Sequence, residues 1–246
     1  MKVTLLNYTP HPEATIATAA KLCYSNKSIQ DLTLKASDDD AAEFIDRLMS
    51  LGHESPIEHV TFTFGIEGIS RSCSHQLVRH RIASYSQKSQ RYVNEAQFEY
   101  VTPEAIEEDP MTEAVYDETM QIIQERYDTI REVLISKYIK RGMDKKDAEK
   151  KANEDARMVL PNACCTSIIV TMNVRSLFNF FKHRCCNRAQ WEIREMADEM
   201  YKLCYVAAPS IFKYAGPGCV TGRCTEGKMS CGKTAEMIKH FKDLVK

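Results

Sequence analysis

Two arginines flanking a histidine, Arg79-His80-Arg81, open a run of Ser, Gln and Tyr that ends at Tyr92, and this is the strongest chemical anomaly in the chain. Between Gly68 and Asn94 the sequence carries five cations (Arg71, Arg79, Arg81, Lys88, Arg91) and no Asp or Glu. Guanidinium forks hold phosphate or carboxylate through parallel charge-assisted hydrogen bonds, and neighbouring hydroxyls and amides add neutral donors. The composition suits a phosphorylated small molecule with polar ring edges. A solvated basic face is the plainer alternative, but five cations with no acid beside them repel one another unless an anion is supplied.

Asn173, Arg175, Asn179 and Arg184 form a second concentration, with Arg157 upstream. On a helix Arg175, Asn179 and His183 share one face by i, i+4 spacing, while Leu177, Phe178 and Phe181 turn to the core. Asn side chains read amide and imide edges because they offer a donor and an acceptor side by side. Arg184 falls off that face, so either the helix ends before it or it serves a different ligand. A third feature is GHESPIEH, residues 52–59. Its two histidines are separated by five residues, one of them a proline, which does not align both rings as H-E-x-x-H does, so no metal is expected. Ser55-Pro56 reads instead as a turn or helix start that offers backbone N–H groups to an anion.

The elements that must position these groups follow from hydrophobic period. Lys2 to Tyr8 and Val60 to Ile69 alternate as strands, and Thr166 to Met172 is β-branched enough for another. Helical patterns are predicted from Glu13 to about Tyr24, from Asp38 through Leu51 with Asp38 to Asp40 as caps, from Ser70 to Arg81, from Arg175 to His183 and from Arg188 to Val206. Residues 103–155 carry 15 Asp and Glu against 9 Lys and Arg and read as an amphipathic helical arm, scaffold or interface. The irregular order of strands and helices predicts an α+β fold, helices around a mainly antiparallel sheet. One main domain is expected over 1–215, with 216–246 a Cys-, Gly- and Lys-containing tail that is not an independent domain.

A chain of 246 residues with 43% hydrophobic and 27% charged residues excludes disorder and collagen-like repeats. A net charge of -1 excludes a polyelectrolyte built to coat nucleic acid. No apolar run reaches the length of a membrane helix or a secretory leader, so a reduced, cytoplasmic setting without membrane partners is expected. The ten cysteines fit that setting. Cys164-Cys165 and Cys185-Cys186 are adjacent, and Cys23, Cys73 and Cys204 read as buried thiols. Cys219, Cys224 and Cys231 are spaced by four and six residues and lack a fourth ligand, so a zinc clip is not expected.

Together the three regions resemble the flavin-dependent thymidylate synthases. The signature R-H-R, seven residues, then Ser is matched by Arg79-His80-Arg81, IASYSQK and Ser89. GHESPIEH before it, SQRY at its end, and VLP, T-x-N-x-RSL-x-NF and AQWEIR downstream extend the match over roughly Met1 to Tyr214. The resemblance implies a homotetramer with shared active sites. It would convert dUMP to dTMP with methylenetetrahydrofolate as one-carbon donor and with NADPH as reductant of FAD. It implies that Arg79, His80 and Arg81 contact FAD, helped by Ser55, Gln87, Asn173, Arg175 and Asn179. Gln76 and Arg79 would hold dUMP from one subunit, with Gln87, Ser89, Gln90 and Arg91 reaching it from another and Arg157 adding to the grip. Arg184 matches the arginine that favours ionisation of the uracil ring at N3. Position 87 is Gln where some members carry Glu, which weakens any role for it as a base. Ser89 has no dedicated base beside it in sequence and reads as a phosphate-binding hydroxyl. The rival reading is a single-stranded nucleic-acid-binding module that uses the 71–91 segment with Tyr85 and Tyr92 as stacking platforms.

Overall fold

Alternation of aromatic and small polar residues in TFTFGIEGIS makes the central strand: Phe62, Phe64 and Ile66 are buried while Thr61 and Glu67 face out. A computed structural model describes residues 1–34, 38–92, 95 and 97–246. The elements, in chain order, are β1 (Lys2–Tyr8), α1 (Pro12–Leu22), α2 (Ile29–Leu34), α3 (Asp38–Ser50), β2 (Thr61–Ser70), α4 (Arg71–Leu77), β3 (Ala83–Gln87) and α5 (Glu104–Glu107). They continue as α6 (Pro110–Lys140), α7 (Lys145–Ala156), β4 (Cys165–Asn173), α8 (Val174–Arg184), α9 (Trp191–Ala207), α10 (Pro209–Phe212), α11 (Gly218–Thr221) and α12 (Thr234–Leu244). The antiparallel sheet has the order β1-β2-β4-β3, so the fold is α+β. Capping of α3 by the Asp38 to Asp40 side chains lies outside the described residues.

Two compact units are present: one of Met1–Ile66, Gln76–Tyr85 and Ile169–Lys246, the other of Glu67–His75 and Ser86–Ile168. The first has an aromatic core. Phe181 packs against Phe180, Tyr201 and Phe212 with ring centroids 5.8, 5.7 and 6.1 Å apart, and Phe62 meets Phe212 edge-on at 5.2 Å. The expected assignment of α8 changes in one detail: Phe180 joins Leu177 and Phe181 inside, while Phe178 stays half-buried.

The second unit is built on α6 and α7, into which the expected acidic arm divides. Asp109 caps α6 by accepting from Met111 N, and Pro110 occupies its first turn. Gly142, in the left-handed region at φ 88, then reverses the chain, and Asp144 caps α7 by accepting from Lys146 N and Asp147 N. Tyr138, Ala148 and Ala152 close the hairpin's core, and Phe98, Met120 and Cys164 form another cluster of this unit. Among the described residues, no helix is long and apolar enough to cross a membrane.

Asn173 ends β4 and caps α8: its Oδ1 accepts from Ser176 N at 2.8 Å. Replacing it with alanine should destabilise the fold by about 1 kcal/mol, the usual worth of an N-cap, read as a lower denaturant midpoint at unchanged slope.

Candidate active site

α8 carries polar chemistry on two faces because its third face is pinned. Val174, Leu177, Phe180 and Phe181 are fully buried. Opposite them, Arg175, Asn179 and Lys182, spaced i, i+4, i+7, line a cavity of about 480 Å³ together with Asn173, Arg81 and Glu58. Sequence spacing had put His183 on this face. The cavity lining includes instead Lys182, which sequence reasoning missed, and not His183. Ser55 lines an adjoining cavity of about 390 Å³, where Arg175 is again a wall residue. Pro56–His59 forms a short 3-10 turn after Ser55, so GHESPIEH is a turn, as expected.

Arg175 is held by two carboxylates: its Nε lies 3.3 Å from Glu54 Oε2, and its Nη1 donates to Glu58. These partners, Glu58 above all, raise its pKa further. Glu54 and Glu58 of GHESPIEH, where no metal is expected, are therefore the counter-ions of this arginine. Glu54 and Glu58 also line the cavity and meet the charge of Arg175, while Arg81, Lys182 and the amides of Asn173 and Asn179 remain as donors, a set that fits an anionic ligand with a polar heterocycle.

Arg184 is the last residue of α8, where a cation complements the helix's carbonyl end. Half-buried, it donates from Nε to His80 Nε2 at 2.8 Å and from Nη1 to Gln76 Oε1 at 3.4 Å. His80 stands edge-on to Phe180, with centroids 4.9 Å apart. Burial first, then the charges of Arg184 and His183, push the imidazole pKa down to about 4, so the ring is neutral at physiological pH. Its proton then sits on Nδ1, because Nε2 is the acceptor. Arg79 and Arg81, on either side of His80, are exposed.

α4 is shorter than the helix predicted to Arg81. The Tyr85 hydroxyl sits 2.9 Å from both the Leu77 and His80 carbonyl oxygens and shares its proton between them. A tertiary cap thus receives the chain where the helix would have continued. Burial raises this phenol's pKa to about 12.

The remaining candidate residues belong to the second unit. Gln87 Nε2 donates to Ser74 Oγ at 2.9 Å and Thr166 Oγ1 at 3.3 Å. Ser89 Oγ accepts from Arg91 N at 3.2 Å, and Gln90 Nε2 lies 3.6 Å from Cys164 Sγ. Arg91 Nη2 meets Glu154 Oε2 at 3.1 Å, and Arg157 Nε donates to the Glu154 carbonyl at 3.2 Å. Lys88 lies 3.5 Å from Glu95. The basic segment is therefore less uncompensated than its local sequence implies, because Glu95 and Glu154 supply acid from outside the window. Arg71, which sequence reasoning counted but gave no role, donates from Nη2 to the Lys88 carbonyl at 2.9 Å.

The cysteines are free thiols. Cys73 and Cys204 are buried as expected, but Cys23 is exposed because it falls just past the end of α1. Cys164, beside Gln90, is pushed up to about 11 by burial, which removes it as a nucleophile at neutral pH. Among the described residues, no three His, Cys, Asp or Glu side chains are grouped to hold a metal ion.

An α+β scaffold that sets guanidinium groups and carboxamides around a cavity defines a binder of anionic heterocyclic ligands. The family model described as "Thymidylate synthase complementing protein" matches residues 4–210. A flavin-dependent thymidylate synthase of Clostridium tetani is 58% identical over 241 residues, covering 98% of this chain and 97% of its own. Relatives with the same description from Geobacter sulfurreducens and Pyrococcus abyssi are 50% and 42% identical, covering 99% and 93% of this chain and 99% and 91% of theirs. The chain belongs to the flavin-dependent thymidylate synthases and is an enzyme of that type.

Proposed function

We propose that the enzyme converts dUMP to dTMP with methylenetetrahydrofolate as one-carbon donor and NADPH as reductant, as a cytoplasmic homotetramer with shared active sites. The observation that carries this reading is the cavity lined by Arg81, Asn173, Arg175 and Asn179, set in a chain of this family. Its cations and amides fit FAD, which carries a pyrophosphate and an imide-edged ring. Bound FAD supplies the two electrons that turn the transferred methylene into a methyl group.

The chain's own residues do the rest. Arg79, His80 and Arg81, with Ser55, Gln87, Asn173, Arg175 and Asn179, hold the cofactor. Gln76, Arg79 and Arg157, with Gln87, Ser89, Gln90 and Arg91, hold the nucleotide, the latter four reaching it from a second subunit. Arg184 places a cation beside N3 of the uracil ring, stabilises the ring anion and so makes the adjacent carbon more nucleophilic. Ser89 binds phosphate; its oxygen caps Arg91 N, and the described contacts give it no general base. The nucleic-acid alternative gains no support: Tyr85, one of its two stacking candidates, is half-buried and bonded through its hydroxyl to Leu77 and His80.

Purified protein should be yellow, with an oxidised-flavin spectrum that bleaches under NADPH without oxygen. Colourless protein that neither takes up FAD nor consumes dUMP would overturn the reading.

A further inference from the structure

Arginines of this chain are held in two different ways. Arg175 is clasped by Glu54 and Glu58, and Arg91 is paired with Glu154. The partners of Arg184 are a ring nitrogen and an amide oxygen, His80 Nε2 at 2.8 Å and Gln76 Oε1 at 3.4 Å, and neither carries charge. A carboxylate in either place would fix the fork equally well but cancel its charge. A neutral acceptor fixes direction and leaves the positive charge for a ligand, at a part-buried position where solvent screens it less.

His80 is itself held. Its ring is edge-on to the fully buried Phe180, and its backbone carbonyl accepts from Tyr85. Phe180 and Arg184 are one turn apart on α8, so the helix that carries the guanidinium also supports the imidazole that orients it.

We propose that His80 is a positioning residue for Arg184: through an unprotonated Nε2 it fixes the direction of the guanidinium fork without neutralising it, and so sets how strongly the bound uracil ring is drawn toward its N3 anion. The inference rests on the role given to Arg184 above and adds a function for His80 that contact with a cofactor does not supply. A protonated His80 would do the opposite, since it has no lone pair on Nε2 and adds a second cation facing Arg184 and His183.

Three readings test it. The first is the ultraviolet difference spectrum of bound 5-fluoro-dUMP, which reports ionisation of the fluorouracil ring without turnover. Wild type and His80→Gln, which keeps a neutral acceptor, should shift the ring toward its anion; His80→Leu should not. The second is steady-state kinetics at matched flavin content. His80→Leu should lose about 10- to 100-fold in kcat, the range for a lost hydrogen bond to a charged group, with KM for dUMP changed far less, and His80→Gln should recover most of it. An unchanged fluorouracil shift and kcat in flavin-replete His80→Leu would overturn the proposal, as would equal loss in both variants.

The third reading does not depend on either variant folding to full yield. In wild type labelled with nitrogen-15 histidine, the His80 ring at neutral pH should show a protonated Nδ1 and a bare, hydrogen-bonded Nε2. A proton on Nε2 would overturn the proposal. Wild-type protein that makes no dTMP would instead overturn the functional reading, while the His80 resonances would still decide the hydrogen bond.

Discussion

Arg184→Ala should lower the rate of dTMP formation by about 100- to 1000-fold, the usual consequence of removing a preorganised charge that stabilises a developing anion. Flavin content should stay near that of the wild type. The two effects separate because Arg175 and Arg184 are nine residues apart on α8, about half a turn around an ideal helix. The cavity lined by Arg81, Asn173, Arg175 and Asn179 therefore keeps its walls when Arg184 is truncated. Arg184→Lys should recover only part of the loss, since an ammonium keeps the charge but not the planar fork that meets His80 and Gln76 together. Spectrophotometric flavin content and initial rates on the same samples check this. Parallel loss of flavin and turnover would make Arg184 a structural or cofactor-binding residue instead.

The largest stability effect is expected at Phe181. Its side chain is fully buried and touches Phe180, Tyr201 and Phe212, so truncation leaves a ring-sized void lined by rings that cannot easily collapse into it. Phe181→Ala should destabilise the protein by about 3–5 kcal/mol, lowering the thermal midpoint by roughly 6–20 °C. Phe178→Ala should have a much smaller effect, although its ring also meets Phe212, at 5.9 Å, because it is only half-buried on the cavity side of α8. Thermal or urea unfolding of both variants distinguishes them. Equal midpoints would mean that the two faces of α8 are not divided between core and cavity as described.

β2 was legible because its alternation coincides with the burial of Phe62, Phe64 and Ile66, and β4 because a β-branched run marks it, with Ile168, Val170 and Met172 buried. β3 was not. ASYSQ has a single large side chain and no β-branched residue, so its alternation of half-buried and exposed positions is not marked in the sequence; it lies at the edge of the sheet, where pairing with β4, a tertiary event, makes it a strand. The early end of α4 has the same kind of cause, since the tyrosine whose hydroxyl donates to the Leu77 carbonyl at its end comes from β3. α9 begins at Trp191 rather than Arg188 because the Gln190 side chain accepts from Glu192 N and Ile193 N, a cap that a glutamine seldom signals.

At the candidate site, helical spacing recovered Arg175 and Asn179 on one face and flagged Arg184 as belonging elsewhere. It did not reveal that Arg184 remains helical, nor that its partner is the histidine of the R-H-R signature, 104 residues away. The counter-ions were equally hidden: Glu154 reaches Arg91 from 63 residues downstream, and Glu58 reaches Arg175 from 117 residues upstream. Local charge counts find where an anion is welcome; only the fold shows which cations already have one.

The most direct test of the central claim is the fate of the folate. Turning a transferred methylene into a methyl group takes two electrons, and if a flavin supplies them the carrier leaves at its original oxidation level. Protein incubated without oxygen with dUMP, methylenetetrahydrofolate and NADPH should yield dTMP and tetrahydrofolate in equal amounts, and none after the flavin is stripped. dTMP formed with dihydrofolate in the absence of NADPH, or no dTMP from flavin-replete protein, would contradict the account.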